Sequence, residues 1–292
     1  MHFGNVYAAL LSWLSARKAG GRWLVRIEDI DRQRCKDVYA RQILDDLQWL
    51  GLDWDGAVMY QSERDEAYRE AFAALRAAGL LYPCFCRRAD LHAASAPHSS
   101  DGVPVYAGTC RLLSANRIAE LSKSRPPAWR VRVSGQSSFV DGHYGEQKID
   151  LEREAGDFIV RRADGNFAYQ LAVAVDDAEQ GVTEVVRGRD LLLSAHQQLF
   201  LYKSLALPPP SFSHIPLLVA ADGRRLSKRE RDVDMDFLRS AFSPNEVIGR
   251  LMCLCGFLPE QCEVTLAEAI DLFDWERLPR KDIGNFSCPQ RG

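Results

Sequence analysis

Arg22-Trp23-Leu24-Val25-Arg26-Ile27-Glu28-Asp29-Ile30-Asp31 is a short apolar strand that runs straight into acidic residues. In an open parallel sheet, ligands bind beyond the carboxyl ends of the strands, so a site is expected at Glu28 to Asp31. Gly20 and Gly21 stop a preceding helix over residues 3–18, in which Val6, Ala9, Leu10, Trp13 and Leu14 recur at helical spacing. A second helix is predicted over 36–50, with Tyr39, Ile43, Leu47 and Leu50 on one stripe and Gly51 as its stop. A third runs from Ser62, whose Ser-x-x-Asp reads as a cap, through Tyr68, Phe72 and Leu75 to Gly79. Helix, strand and helix in alternation predict a doubly wound α/β domain.

Residues 82–150 break that alternation and read as an insertion, with a cysteine-bearing segment, a polar loop over 93–104 and a strand at Trp129 to Val133. The parallel sheet is expected to resume at Asp157, with strands at Phe158 to Val160, Ala168 to Val175 and Thr183 to Arg187, then a helix over 194–205. Helices follow over 235–242, 244–255 and 265–273. The predicted organisation is therefore 1–81 and 151–232 as halves of one domain, 82–150 as an insertion and 233–292 as a small helical subdomain.

Hydrophobic residues make up 47% of the 292 and charged residues 26%, an ordinary globular composition that excludes disorder as the default. The net charge of -3 does not advertise a nucleic-acid partner for the molecule as a whole. A local basic run, Arg224, Arg225, Lys228, Arg229 and Arg231, is the candidate RNA face, and a solvated charge run is the commoner reading of such a string. No stretch reaches the roughly 18 to 20 apolar residues of a membrane helix, and no signal pattern opens the chain, so a cytoplasmic location is expected.

Eight cysteines are too few for a disulfide scaffold in a chain of this length. Cys84-Phe85-Cys86 followed by Cys110 suits a closed structural Zn2+ site, with the fourth ligand open among His92, His98, Asp101 and Tyr106. Three reduced, partly buried cysteines are the alternative. Cys253 and Cys255 repeat the spacing on an apolar segment and read as core.

His2-Phe3-Gly4-Asn5 and Gly223 to Arg229, which contains Leu226-Ser227-Lys228, look like the two ATP signatures of class I aminoacyl-tRNA synthetases. Further strings extend the likeness: Gly21 to Asp31, Trp54-Asp55-Gly56, Gln61 to Arg64, Asp157 to Arg162, Phe167 to Val173, Val175-Asp176-Asp177 and Gly181 to Leu191. In this order they resemble the glutamyl-Q tRNA(Asp) synthetases, short relatives of the bacterial glutamyl-tRNA synthetase catalytic domain. The resemblance covers residues 1 to about 275 and implies a class I Rossmann-like fold with a zinc-bearing insertion and a helical stem-contacting region.

It further implies that Glu28, Tyr169 and Arg187 bind L-glutamate, that His2, Gly4, Asn5 and Lys228 bind ATP with His2 and Lys228 catalytic, and that Cys84, Cys86, Tyr106 and Cys110 hold one structural zinc. The chemistry is consistent, since Arg can pair bidentately with a carboxylate and Glu can accept from an ammonium. Without the resemblance, Tyr169 reads as a core aromatic and Arg187 as a surface ion pair. The implied reaction joins glutamate and ATP, with Mg2+, into glutamyl-adenylate, then transfers the glutamyl group to queuosine at the wobble position of tRNA(Asp). A monomer is expected.

In the family a strand and an Arg-x-Ala-Pro-Ser-type segment precede His-x-Gly, whereas this sequence begins at Met1 within that motif. The first core strand is accordingly expected to be missing and activity impaired. With the sequence ending at Gly292, no anticodon-binding region is expected, which would favour the modifying enzyme. A fragment of a glutamyl-tRNA synthetase charging the 3' end of tRNA(Glu), or a catalytically dead RNA-binding relative, are the alternatives.

Overall fold

The computed structural model describes residues 1–31, 35–87, 105–219 and 234–284. Helix α1, Phe3–Lys18, buries Phe3, Val6, Tyr7, Leu10, Leu11, Trp13 and Leu14. Its opposite side, Gly4, Ala8, Ala9, Ser12 and Ala16, is half-buried, so the helix is largely covered rather than lying on the surface. Strand β1, Arg26–Ile27, is shorter than predicted and pairs in parallel with β2, Met59–Tyr60. Between them lies α2, Asp37–Trp49. Its stripe is Ala40, Ile43, Leu44 and Leu47, whereas Tyr39, predicted to share it, is 51% exposed in the helix's first turn.

Helix α3 is Asp65–Ala77. Ser62 does not cap it. That residue lies in a short 3-10 turn, and its hydroxyl and amide bond the Asp29 carboxylate at 2.7 and 2.8 Å. The acidic segment after β1 is thereby tied to the end of β2.

The insertion opens with β3, Leu81–Cys84, which pairs antiparallel with β4, Ala128–Val131. Helix α4, Ala115–Ser122, lies between them in sequence. A hairpin follows, β5 at Gln136–Asp141 and β6 at Gly145–Asp150. Strand β7, Phe158–Arg161, pairs antiparallel with β4 and so extends the insertion's sheet instead of resuming the parallel one.

The predicted strand at Ala168 to Val175 is also corrected, because residues Tyr169–Gln180 form helix α5, stopped by Gly181 in the left-handed region at φ 65. A short apolar run fits a buried strand and a buried helix equally well by pattern. Strand β8, Glu184–Gly188, helix α6, Leu192–Ser204, and strand β9, Ser211–Ile215, complete a parallel unit with β8 and β9 paired.

The expected doubly wound sheet thus exists among the described residues as two separate parallel pairs, β1 with β2 and β8 with β9. Helices α7, Met235–Ala241, α8, Pro244–Leu254, and α9, Leu266–Leu272, close the fold. They do not form a core of their own. Met235, Leu238, Val247, Leu251, Cys255 and Phe273 join α1, α2 and the end of β9 in one apolar cluster. A second cluster joins α3, β4, β7, α5 and α6. Of the Cys-x-Cys pair at the end of α8, both expected in the core, Cys255 is buried in that first cluster whereas Cys253 is only half-buried.

His196 on α6 is 3% exposed, with Nδ1 2.8 Å from the Ser137 hydroxyl of β5. Burial pushes its pKa down to about 4 from an ordinary 6.5, against the charge of Glu154. Between those values the unfolded chain binds more protons than the folded one, so stability is complete above the unfolded value and is lost as pH falls towards the folded one. The expected result is a loss of about 2 kcal/mol between pH 7 and pH 5 from this group, at ~1.4 kcal/mol per pKa unit. Urea midpoints of His196→Gln should fall less over that interval than those of the unsubstituted chain. Equal falls would show that His196 does not titrate in this way.

Candidate active site

Glu28, Tyr169 and Arg187 come from three elements, the residue after β1, the first turn of α5 and the carboxyl end of β8. The fold brings them together. Arg187 Nη1 lies 3.5 Å from the Tyr169 hydroxyl, and the Arg187 charge acts on both Glu28 and Tyr169. Burial raises the Tyr169 phenol, with Arg187 opposing it. The Glu28 side chain is 45% open, yet the protein packed around it raises its carboxyl. Arg26, 4.0 Å away, pulls it down.

Arg187 is not a surface ion pair. It is 8% exposed and lies over the Phe212 ring, 5.1 Å from its centroid. Its partners are neutral: Nε donates to His214 Nε2 at 3.2 Å, Nη1 to Gln198 Oε1 at 2.9 Å and Nη2 to the Leu191 carbonyl at 3.3 Å. None of its nitrogens forms an ion pair with a carboxylate among the described residues. A buried cation without a counter-ion is costly, and an anionic ligand would offset that cost.

The cleft between the parallel pairs holds about 540 Å³. Arg26, Glu28, Asp177 and residues 182–186 line it, so that of the three predicted glutamate-binding residues Glu28 faces this cleft while Tyr169 and Arg187 lie outside its lining. Arg26, Asp177 and Gln180 on its wall belong to an ion network absent from the candidates chosen by sequence. Arg26 Nη1 meets Asp177 at 2.7 Å and Gln180 at 2.9 Å. Fully buried Asp176 accepts from Gln61 at 2.9 Å, the Tyr68 hydroxyl at 2.7 Å and Arg64 at 3.2 Å. The signal was present in the sequence as two adjacent acids ending an apolar run.

His2 occupies the N-cap of α1. A Cβ at Gly4 would come within 3.2 Å of the His2 ring, so glycine there lets the imidazole lie against the first turn. The His2 amide lies 3.4 Å from the Asn5 side-chain oxygen. Lys228 falls outside the described residues, as do Arg224, Arg225, Arg229 and Arg231. The chain re-enters at Asp234, whose backbone is bridged to His2.

The Cys84, Cys86 and Cys110 sulfurs lie within 4.8 Å of one another and could hold a metal ion. The Tyr106 hydroxyl is 3.5 Å from Cys84 Sγ and 3.6 Å from Cys86 Sγ. It accepts from the Cys110 amide at 2.8 Å, and Arg130 Nε donates to Cys84 Sγ at 3.3 Å. Burial and the neighbouring sulfurs push the Cys86 thiol up to about 11. Three soft sulfurs and one oxygen converging on a point suit a tetrahedral divalent cation. His92, His98 and Asp101 lie outside the described residues. No helix among the described residues is long and apolar enough to cross a membrane.

The family model described as tRNA synthetases class I (E and Q), catalytic domain, matches residues 1–282. The chain is 46% identical to the glutamyl-Q tRNA(Asp) synthetase of Symbiobacterium thermophilum, over 97% of this chain and 91% of that one. It is 42% identical to the protein of that name from Nitratidesulfovibrio vulgaris, over 97% and 91%. A crystal structure of a glutamate tRNA ligase from Elizabethkingia meningosepticum, in complex with its amino acid, superposes with a TM-score of 0.77. The identity is 24% and the chain spans 64% of that protein's length, so this likeness speaks to the fold. With residues 1–282 matched and relatives of this identity aligned over nearly their whole length, the chain belongs to the class I tRNA synthetases of glutamate and glutamine type, among the glutamyl-Q tRNA(Asp) synthetases.

Proposed function

We propose that Arg187, Tyr169 and Glu28 hold L-glutamate while ATP activates it, and that the glutamyl group then passes to queuosine at the wobble position of tRNA(Asp). The observation that carries this reading is the buried Arg187 guanidinium with neutral partners only. The α-carboxylate must stay free to attack the α-phosphate of ATP, so the side-chain carboxylate is the one for Arg187 to bind. Glu28, on the open side, accepts from the substrate ammonium. Attack forms glutamyl-adenylate and expels pyrophosphate. Lys228 and His2 meet the phosphates, with Gly4 and Asn5 shaping the turn that approaches them and Mg2+ completing the neutralisation. A nucleophile of the queuosine base then takes the acyl group and releases AMP.

The glutamyl-Q names of the curated relatives favour this acceptor over the 3' end of tRNA(Glu) and over an inactive RNA-binding role. The direct test supplies labelled glutamate and ATP with three RNAs. Label is expected on tRNA(Asp) containing queuosine and absent from tRNA(Asp) lacking it and from tRNA(Glu). Label on tRNA(Glu), independent of queuosine, would overturn the proposal.

Cys84, Cys86, Cys110 and Tyr106 fit one structural zinc, which would cross-link β3 to the segment before α4. Metal analysis of the purified protein should then find about one zinc per chain. Cys110→Ser should lose it and melt at a lower temperature. Protein that is metal-free as purified and gains no thermal stability from added zinc would remove the assignment.

A further inference from the structure

A chain of buried hydrogen bonds reaches Arg187 from the hairpin of the insertion. Asp141 ends β5, is 2% exposed, and accepts at Oδ1 from the amides of His143 and Tyr144 at 3.0 and 2.9 Å. Gly142 lets this turn close on β9, because a Cβ there would run into Ser213, and the Gly142 amide donates to the Phe212 carbonyl at 2.8 Å. Asp141 Oδ2 then lies 2.6 Å from His214 Nδ1, and the His214 amide donates to the same carboxylate at 3.1 Å. His214 is fully buried, and its Nε2 faces Arg187 Nε at 3.2 Å.

An arginine Nε–H can only donate, so His214 Nε2 must carry a lone pair. The proton is then on Nδ1, and Asp141, which can only accept while ionised, is the group that keeps it there. We infer that Asp141 and His214 are positioning residues for glutamate activation, in which Asp141 fixes the Nδ1–H tautomer of His214 and His214 thereby aims the Arg187 guanidinium at the substrate carboxylate.

The surroundings agree with that state. Burial alone would raise the Asp141 carboxyl, but the bonds from His214 and from the Tyr144 and His143 amides hold it below the usual carboxylate range. Burial depresses the His214 imidazole below its ordinary value, the Arg187 charge adds to this, and Asp141 and the Leu191 carbonyl oppose it. With Nε occupied by His214 and Nη1 by Gln198, the guanidinium plane is set by two side chains and the Leu191 carbonyl. Orientation of this kind acts on ligand affinity without touching the ligand.

This inference rests on Arg187 serving as the glutamate seat, and the test separates the two. Side-chain 15N spectra of the whole protein should show His214 protonated at Nδ1 and bare at Nε2. In Asp141→Asn the amide can donate to Nδ1, which drives the proton to Nε2 and sets two donors against each other. Asp141→Asn should raise the glutamate KM in pyrophosphate exchange about tenfold with the ATP KM unchanged. His214→Gln, whose carbonyl can still accept from Arg187, should retain most of the affinity that His214→Ala loses.

An Nε2–H ring in the unsubstituted protein, or an unchanged glutamate KM in Asp141→Asn, would overturn the relay. If Asp141→Asn fails to fold, the contrast between His214→Gln and His214→Ala decides, and equal losses in both would count against it. Arg187→Lys in the same assay reports on the seat by itself. A raised glutamate KM there with Asp141→Asn unaffected sinks only the relay, whereas an unchanged KM in Arg187→Lys sinks both.

Discussion

Arg187→Lys should lower kcat/KM for glutamate in pyrophosphate exchange by about 100-fold, close to 3 kcal/mol at ~1.4 kcal/mol per tenfold. The substitution keeps the charge and removes the fork. Lysine cannot bond His214, Gln198 and a carboxylate in one plane, so the two neutral partners lose their donor and the substrate carboxylate loses a fixed guanidinium donor. Because Arg187 contacts no described carboxylate of the protein, no internal ion pair is broken and folding should survive. The ATP KM should stay within about twofold, since no bond of Arg187 reaches His2, Gly4 or Asn5, which a titration of each substrate in turn will show. A variant that activates glutamate as well as the parent would mean that the arginine is structural.

The largest stability effect is expected at Asp176. Its carboxylate is fully buried and accepts from Gln61, Tyr68 and Arg64, joining α5 to the turn after β2 and to α3. Asp176→Ala leaves those donors facing a gap and Arg64 short of a partner, a loss of about 3–5 kcal/mol for breaking a buried charged pair. Asp176→Asn keeps the volume and one acceptor and should cost less, about 1–3 kcal/mol. Urea unfolding of both variants measures the difference. A change below about 1 kcal/mol in Asp176→Ala would show the network to be dispensable.

Much of this was legible in the sequence because it is local. Helix α1 announced itself by spacing and by the two glycines after it, and the Cys84, Cys86 and Cys110 cluster by the short separation of two of its thiols. The parts that escaped depend on contacts between distant segments. Residues 168–175 carry no pattern that separates a buried strand from a buried helix, and α5 is decided by packing against α3 and α6. Phe158 to Arg161 form a strand as expected, but its partner β4 lies in the insertion, so direction could not be read from the strand itself.

The site follows the same division. Glu28, Tyr169 and Arg187 were chosen by resemblance, while the burial of Arg187 came from Phe212, Gln198 and His214 closing over it. Asp141 and His214 are 73 residues apart and lie in strings with no chemical signature. Asp176 and Asp177 were visible as an acidic pair on an apolar run, and their partners Arg26 and Arg64 were not.

The most direct measurement is a crystal structure of the protein with a non-hydrolysable glutamyl-adenylate analogue. The side-chain carboxylate of the ligand is expected within hydrogen-bond distance of the Arg187 guanidinium, with the ammonium at Glu28 and the adenosine towards His2. An analogue bound elsewhere, with Arg187 still facing only Gln198, His214, Tyr169 and the Leu191 carbonyl, would contradict the assignment of this pocket.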